Sequence, residues 1–314
     1  MISLKNIHQA REQISDTIHH TPILSSTQFS KWCGNQMFFK AEHLQQTGSF
    51  KIRGATNRVK KAVREGTKYV TAASSGNHGQ AVAYIANKLG VPATIVVPED
   101  ANQSKINAIK SYNGKIELCG TTSAERLPRA HELATEHSGI YIPPYDDPFI
   151  IAGQGTVGLE ILEQVEDADV VVVPVGGGGL LSGILTAIKE TNPKITVIAV
   201  EPETANDTVL SLENGKITSI PKTSTIADGL RASQPGEVTF PIVQKYVDQI
   251  VMVSDEEIRR AQFLVLERMK QLIEPSSAVT VAAAMNDKLG VGGSNIVCVL
   301  SGGNVDVRNT TMFS

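Results

Sequence analysis

Short apolar runs alternate along the chain with amphipathic stretches. The runs are rich in β-branched residues and contain few polar positions, as in 170–175 (VVVVPV) and 295–300 (NIVCVL). Strands that are apolar on both faces are typical of parallel sheets covered by helices. The segments with this pattern are 69–73, 93–98, 170–175, 194–200, 248–253 and 295–300.

Between these runs, apolar residues recur every three or four positions, which predicts helices. The clearest examples are 78–89, 157–165, 180–190 and 255–272. Strand and helix in alternation indicate an α/β fold. The proline-rich and turn-rich segment 139–149 (GIYIPPYDDPF) predicts a crossing between two domains.

Composition narrows the class of partner. The chain has 314 residues, 41% apolar and 19% charged, with a net charge of -3, which is typical of one or two globular domains. No run of Lys or Arg marks a nucleic-acid or anionic-membrane surface. Neither a signal pattern nor an apolar span of about 20 residues is present. We therefore expect a cytoplasmic protein whose partner is a small molecule.

Three predicted strands are followed directly by loops rich in glycine, serine and asparagine. These loops are 74–79 (SSGNHG), 176–179 (GGGG) and 301–304 (SGGN), and the first two open predicted helices. In α/β proteins, ligands bind at the carboxyl ends of strands. The three loops are therefore the first candidates for a binding site.

The second of these loops has the composition of a phosphate cradle, because bare backbone N–H groups at a helix start bind anions. It consists of Gly176, Gly177, Gly178 and Gly179. If no ligand binds, the loop is a tight strand-to-helix turn. A second alternative is a dinucleotide site, with Glu201 as the acid that binds the ribose. The third glycine of that fingerprint would fall on Leu181 or Ser182, so a single phosphate fits better.

Lys51 stands between small and aromatic neighbours in 47–55 (TGSFKIRGA), near the start of a helical pattern. A lysine buried beside apolar groups has a lowered pKa and becomes a nucleophile or Schiff-base former. Taken alone, an exposed surface lysine is the ordinary alternative.

Four motifs in order, TGSFKIRGA, SSGNHGQA, VPVGGGGL and SGGN, resemble the serine/threonine dehydratase and serine racemase family. Its members are enzymes that depend on pyridoxal 5'-phosphate (PLP) and have the tryptophan synthase β-like fold, known as fold type II. The resemblance extends over nearly the whole chain. It implies a homodimer of two-domain subunits, in which each domain is a mostly parallel sheet covered by helices. The large domain would comprise 1–63 and 148–314, and 69–138 would form a small domain that moves over the active site.

The resemblance also implies how PLP is held. Lys51 would form the Schiff base with its aldehyde and later take the substrate α-proton. Phe50 would pack against the ring, 176–179 would hold the phosphate, and Asn77 would bond the phenolic oxygen. Ser301 would face the pyridine nitrogen. A hydroxyl, unlike a carboxylate, does not hold that nitrogen protonated, so the ring becomes a weaker electron sink and prompt elimination is favoured over transamination.

The substrate carboxylate would be bound by hydroxyls and N–H groups of the loop 74–79. This loop opens a predicted helix, and the start of a helix is an anion site. The residues implied are Ser74, Ser75, Asn77 and His78. The alternative for this loop is a helix cap that serves stability alone. Arg126 falls where racemase-like enzymes have an arginine near the substrate carboxylate, and its alternative is a solvated helix residue.

Ser75 bears on the choice of reaction. Similar dehydratases commonly have alanine at this position, whereas serine racemases have serine on the cofactor face opposite the lysine. A hydroxyl on that face can reprotonate the α-carbon from the other side, which inversion requires. Racemisation is therefore expected beside dehydration.

Glu201, Ala205 and Asp207 lie just beyond a predicted strand in the segment EPETANDT. Two carboxylates and a backbone carbonyl are oxygen ligands suited to Mg²⁺ or Ca²⁺. Metal-activated racemases of the family have a similar EPxxAxD pattern, so the resemblance implies a divalent cation site. Without a metal, the two acids would be solvated surface residues.

These residues together predict an enzyme that eliminates water from L-serine or L-threonine, giving a 2-oxo acid and ammonia, and that also racemises serine. The alternatives within the class are a dedicated serine racemase and a threo-3-hydroxyaspartate dehydratase. Outside it stand a nucleotide-binding oxidoreductase and a non-catalytic member of the family. Asp228 and Glu274 also match positions around the active site, but the sequence assigns them no role.

Overall fold

Two mostly parallel sheets organise the protein. The computed structural model describes residues 1–307. The larger sheet has the strand order β1-β2-β10-β7-β8-β9, in which only the β1–β2 pair is antiparallel, and the smaller sheet has the order β5-β4-β3-β6. The strands are β1 Ile23–Ser25, β2 Gln36–Ala41, β3 Val70–Ala73, β4 Ala93–Val97, β5 Lys115–Leu118, β6 Ile140–Tyr141, β7 Val170–Pro174, β8 Thr196–Pro202, β9 Gln249–Val253 and β10 Asn295–Leu300.

Helices cover these sheets. They are α1 Leu4–Ile14, α2 Thr27–Cys33, α3 Lys51–Arg64, α4 Asn77–Lys88, α5 Gln103–Ser111, α6 Ser123–Glu136, α7 Pro148–Gln164, α8 Gly179–Thr191, α9 Asp207–Asn214, α10 Phe240–Tyr246, α11 Asp255–Leu264 and α12 Pro275–Met285. The predicted α/β class is confirmed. Among residues 1–307, no helix is long and apolar enough to cross a membrane.

Local sequence signals fix where several helices begin. Asp147 caps α7 by accepting hydrogen bonds from the N–H groups of Phe149 (2.8 Å) and Ile150 (3.0 Å), and Pro148 occupies its first turn. Ser254 and Glu257 form a capping box at the start of α11. Because α7 begins at Pro148, the end of the segment 139–149 is helical, and only the part before it can be the irregular crossing that the composition predicts.

The apolar strand runs form the cores. Two buried clusters lie against the larger sheet, one including Val172 and Cys298 and the other Val171 and Val297, as neighbouring residues of a strand point to opposite faces. A third cluster, around Ile95, packs between the smaller sheet and its helices. The division into a large and a small, mobile domain stays a prediction.

A closed network of buried charges ties β2 and α3 to α7. The guanidinium of Arg53, which is fully buried, donates to Glu42 on one side (2.7 Å) and to Glu160 on the other (2.6 Å). The ammonium of Lys40 donates to the second oxygen of Glu160 at 2.5 Å. Because two cations face two carboxylates, the buried charges balance.

Candidate active site

The loops after β3, β7 and β10 line one cavity of about 750 Å³. Since β3 belongs to the smaller sheet and the other two strands to the larger, the cavity lies between the sheets. The structure brings the predicted cofactor and substrate residues together there: Phe50, Lys51, Ser74, Ser75, Asn77, His78, Arg126, Gly176, Gly177, Gly178, Gly179 and Ser301. The three predicted metal ligands lie outside this lining.

Lys51 is the first residue of α3, and its side chain reaches into the cavity. Its ammonium donates a hydrogen bond to the carbonyl oxygen of Pro144 at 2.8 Å and lies 5.2 Å from the centre of the Phe50 ring. Burial lowers the pKa of Lys51 to about 8, and the nearby carboxylate of Glu274 limits the decrease. A larger fraction of this amine than of an exposed lysine is therefore neutral and nucleophilic near neutral pH.

The glycine loop has no room for side chains. A Cβ at Gly177 would lie 2.4 Å from the ring of Tyr145, and one at Gly179 would lie 2.9 Å from the Cβ of Tyr145. Gly178 has a φ of +89°, which favours glycine, and it precedes α8, whose start no described side chain caps. The bare N–H groups of a helix start are thereby left facing the cavity, as an anion requires.

The loop after β3 is built the same way. Gly76 precedes α4, which also begins without a described side-chain cap. The imidazole of His78 donates from Nε2 to the carbonyl oxygen of Ile142 at 2.8 Å, and burial together with the charge of Lys51 lowers the pKa of His78 to about 3. This imidazole is neutral, and its Nε2–H is already used. Any anion at His78 therefore meets its backbone rather than that N–H.

Ser301 is buried beside a second hydroxyl. Its Oγ lies 3.2 Å from the Oγ of Ser277, which donates to the carbonyl oxygen of Gly302 at 2.6 Å. The N–H of Phe50 donates to the carbonyl oxygen of Ser301 at 3.0 Å, so the end of β10 is joined directly to the start of α3. These contacts fix a hydroxyl, rather than a carboxylate, at this wall of the cavity.

Arg126 lies on α6, half-buried, with its side chain lining the cavity. Nη2 donates to the hydroxyl of Ser123 at 3.2 Å, while Nε and Nη1 are buried and have no partner within the described part of the chain. Buried guanidinium N–H groups need acceptors. The geometry therefore favours the interpretation of Arg126 as an anion ligand over that of a solvated helix residue.

The predicted metal ligands are buried at the end of β8. The carboxylate of Glu201 accepts hydrogen bonds from the N–H groups of Thr208 (3.1 Å) and Val209 (3.0 Å), whereas both carboxylate oxygens of Asp207 lack a partner among residues 1–307. Burial raises the pKa of Glu201 to about 8, aided by Asp207, and burial raises that of Asp207 to about 7. These acids are not the solvated pair of the alternative interpretation.

Two functional contacts escaped sequence reasoning. Tyr145 covers Gly177 and Gly179, but nothing in the segment PPYDD distinguishes this tyrosine from an ordinary turn residue. Glu274 accepts a hydrogen bond from the side chain of Asn77 at 2.8 Å. The proline that follows Glu274 signals a helix start, but not the direction of the carboxylate.

The chain matches a protein family described as "Pyridoxal-phosphate dependent enzyme" over residues 14–302. It is 41% identical to an L-threonine ammonia-lyase of Geobacter sulfurreducens over 313 residues, covering 99% of this chain and 78% of that protein. It is 42% identical to the L-threo-3-hydroxyaspartate ammonia-lyase of Saccharomyces cerevisiae over 311 residues, covering 98% of this chain and 95% of that protein.

The fold is likewise similar to solved structures. The structure of maize serine racemase matches with a TM-score of 0.95 and 40% sequence identity, covering 98% of this chain and 95% of that one. The predicted fold type and the family that the four motifs indicate are thereby confirmed.

Proposed function

The chain belongs to the pyridoxal-phosphate-dependent enzymes, and on that premise we propose that it eliminates water from L-serine and L-threonine. The products are a 2-oxo acid and ammonia. One observation carries the proposal: the amine of Lys51, the bare glycine loop and the serine-rich start of α4 line the same cavity. An amine, a phosphate cradle and a carboxylate site are what this reaction requires of the protein.

The residues of the cavity fit PLP. Tyr145 fills the positions that a Cβ at Gly177 or Gly179 would take, so the glycine loop presents only backbone to the cavity, and it is suited to the phosphate. Lys51 offers an amine whose lowered pKa suits condensation with an aldehyde. Ser301 offers a hydroxyl to the pyridine nitrogen and Asn77 an amide to the phenolic oxygen.

When bound, PLP supplies an aldehyde that condenses with amines and a conjugated ring that withdraws electrons from the substrate α-carbon. The protein then has to position the substrate and move protons. The N–H groups and hydroxyls at the start of α4, Ser74 and Ser75 among them, bind the substrate carboxylate. The neutral amine of Lys51 would take the α-proton, and the ammonium so formed would return a proton to the β-hydroxyl, which would leave as water.

Ser301 directs the fate of the electrons left on the α-carbon. Its hydroxyl does not hold the pyridine nitrogen in the protonated state, which weakens electron withdrawal. Rapid loss of the β-hydroxyl is thereby favoured over transamination. Ser75 provides a second proton donor in the cavity, and we include serine racemisation in the proposal for that reason.

Arg126 favours a further substrate, threo-3-hydroxyaspartate. The start of α4 accounts for one carboxylate, so the two unpartnered nitrogens of this guanidinium are left for another. Replacing Arg126 with methionine tests this assignment. We expect kcat/KM for 3-hydroxyaspartate to fall at least about tenfold more than kcat/KM for serine, which has one carboxylate. Equal losses would overturn it.

We also propose that Mg²⁺ or Ca²⁺ binds at Glu201, Asp207 and the carbonyl oxygen of Ala205. The unpartnered, buried oxygens of Asp207 support a cation there. Among residues 1–307, no cluster of three or more His, Cys, Asp or Glu side chains could hold a metal. Water and backbone oxygens would therefore complete the coordination, as oxygen-rich Ca²⁺ and Mg²⁺ sites allow.

A trapping experiment tests the central proposal. Holoenzyme is reduced with borohydride, digested and mapped by mass spectrometry, and Lys51→Ala protein serves as the control. We expect the adduct at Lys51 in the wild type and none in the variant. Formation of 2-oxo acid is then measured from L-serine, L-threonine and threo-3-hydroxyaspartate, and formation of D-serine is measured from L-serine. An adduct at another lysine, or no 2-oxo acid from any of the three, would refute the proposal.

The family match argues against the nucleotide-binding oxidoreductase. In the structure, Glu201 also binds the backbone of α9 rather than lining the cavity beside the glycine loop, as a ribose ligand should. A non-catalytic member would be expected to lack the lysine or the cradle. The homodimer and the cytoplasmic location stay predictions.

A further inference from the structure

The carboxylate of Glu274 points into the cavity from the start of α12. Glu274 is the residue before this helix, yet its side chain does not cap it. The backbone is fixed instead, because its N–H donates to Gly302 at 3.1 Å and its carbonyl oxygen accepts from Ser277 at 2.9 Å. Pro275 further restricts the turn. The carboxylate is thus held in one place without serving the helix.

Two flanking glycines leave room for it. A Cβ at Gly302 would lie 2.7 Å from Oε1 of Glu274, and one at Gly229 would lie 3.9 Å from the same oxygen. A side chain at Gly302 would therefore displace the carboxylate. The loop after β10 is shaped to accept Glu274 as well as to present Ser301.

A chain of amide hydrogen bonds leads from Glu274 through Asn77. Nδ2 of Asn77 donates to Oε1 of Glu274 at 2.8 Å, and Oδ1 of Asn77 accepts from Nδ2 of Asn304, also at 2.8 Å. Nδ2 of Asn304 donates its other proton to the carbonyl oxygen of Thr47 at 2.8 Å. Because Nδ2 of Asn77 only donates and its Oδ1 only accepts, these two contacts fix the orientation of the Asn77 amide. One N–H of Asn77 is left for a ligand.

Glu274 shares the lining of the cavity with Lys51. Burial raises the pKa of Glu274 to about 8, and the charge of Asp228 adds to the increase, whereas the hydrogen bond from Asn77 opposes it. Asp228 and Lys105 pair with each other, and Arg231, Asp306 and the neutral His78 line the same cavity. In either protonation state the carboxyl keeps an oxygen that accepts from Asn77, so this contact does not depend on its charge.

We propose that Glu274 is a positioning residue in this site: its carboxyl is the acceptor that holds the Asn77 amide with an N–H toward the cofactor. This inference rests on the proposed function of the cavity as the PLP site. It assigns a role to a carboxylate that the proposed reaction does not itself use.

Two variants separate the acceptor from the charge. Glu274→Gln keeps an acceptor for Asn77 and removes the ionisable group, whereas Glu274→Leu removes both. Glu166→Gln, an exposed carboxylate outside the cavity lining, is the matched control for loss of one charge. PLP affinity is measured by equilibrium dialysis, and the visible absorbance spectrum of the bound cofactor is recorded for each holoenzyme.

For Glu274→Gln we expect PLP affinity within about threefold of wild type, because the acceptor remains. For Glu274→Leu we expect at least about tenfold weaker PLP binding and a changed absorbance spectrum of the bound cofactor, because the Asn77 amide loses the acceptor that orients it. Glu166→Gln should change neither.

Equal PLP affinity in the two Glu274 variants would overturn the proposal. If Glu274→Leu does not fold, Glu274→Asp takes its place: it keeps the charge but withdraws the acceptor from Asn77 on a shorter stem, so PLP affinity should fall although the charge remains. Absence of any borohydride adduct at Lys51 in wild type would instead count against the proposed function.

Discussion

Replacing Arg53 with methionine tests how the catalytic end of α3 is held in place. Arg53 is fully buried and makes four hydrogen bonds of 2.6–2.8 Å to the carboxylates of Glu42 and Glu160. Methionine fills similar volume without charge. Lys40 still neutralises Glu160 at 2.5 Å in the variant, but Glu42 keeps only the hydroxyl of Thr21 as a side-chain donor within the described chain.

The expected cost follows from that stranded carboxylate. Removing one partner of a buried ion pair destabilises proteins by about 3–5 kcal/mol, because the remaining charge is left without compensation. We expect the free energy of unfolding to fall by that amount. Changing Glu42 to glutamine in the same chain removes the stranded charge and should recover about 1–3 kcal/mol. Arg58→Met, on the same helix but in a half-buried pair with Asp147, should cost only about 1 kcal/mol.

Urea unfolding of the four proteins, followed by circular dichroism, measures these differences through the transition midpoint and slope. If Arg53→Met unfolds before purification, Arg53→Lys is measured instead. This variant keeps a positive charge but loses the bidentate geometry of the guanidinium. A loss for Arg53→Met no larger than that for Arg58→Met would refute the reasoning. So would a double variant no more stable than the single one.

Three further outcomes are expected. Ser75→Ala should suppress D-serine formation at least about tenfold more than pyruvate formation, measured by chiral chromatography and a coupled assay, because only inversion needs a proton donor on the second face; equal losses would contradict the role of Ser75. The kcat of the wild type should rise with pH, reach half of its maximum near pH 8 and level off about one unit above that, since the amine of Lys51 must be neutral to accept a proton and its pKa is about 8; a flat profile from pH 6 to 9 would contradict this. Mg²⁺ at about 100 times its dissociation constant should stabilise wild type by about 2.7 kcal/mol and Asp207→Asn far less, in thermal unfolding with a chelator as the blank; equal effects would exclude Asp207 as a ligand.

Buried parallel strands and the loops after them were predictable from the sequence. All six apolar runs form strands, with ends within two residues of the predicted ones, because central strands of a covered sheet must be apolar on both faces. The glycine loop and the serine-rich loop precede helices as predicted. Their meeting in one cavity follows from parallel pairing, which sets the carboxyl ends of strands at one edge of each sheet.

Elements held by long-range contacts were not predictable. The helix expected at 157–165 begins earlier, at Pro148. The sequence did not predict this start because Gly153 and Gly155 lie inside α7, and glycine disfavours helices locally. A Cβ at Gly153 would lie 2.6 Å from Cα of Gly54, so close packing of α7 against α3 explains the residue. The strand β2 was missed for a similar reason: it contains Lys40, whose ammonium pairs in the core with Glu160, 120 residues away.

The helix predicted at 255–272 is shorter than its periodicity suggests. The α-helical part ends at Leu264 and is followed by a π-helical turn at Val265–Met269, after which Lys270 has a φ of +60°. The chain then turns toward Glu274, whose N–H reaches Gly302. Tertiary contacts of the active-site loop therefore override the local helical pattern.

The spacing of Lys51 and Arg53 explains how one helix start supplies both a reactive amine and a structural cation. Residues two apart on a helix point roughly 200° apart, so one side chain enters the cavity and the other enters the core. In the core, Glu42 and Glu160 satisfy Arg53 completely, and these carboxylates are therefore not available to Lys51. Within residues 1–307, the carboxylate whose charge acts on the Lys51 amine is that of Glu274, and it offsets only part of the pKa decrease that burial causes. A second free carboxylate beside Lys51 would hold the amine protonated, and it would no longer serve as a base near neutral pH.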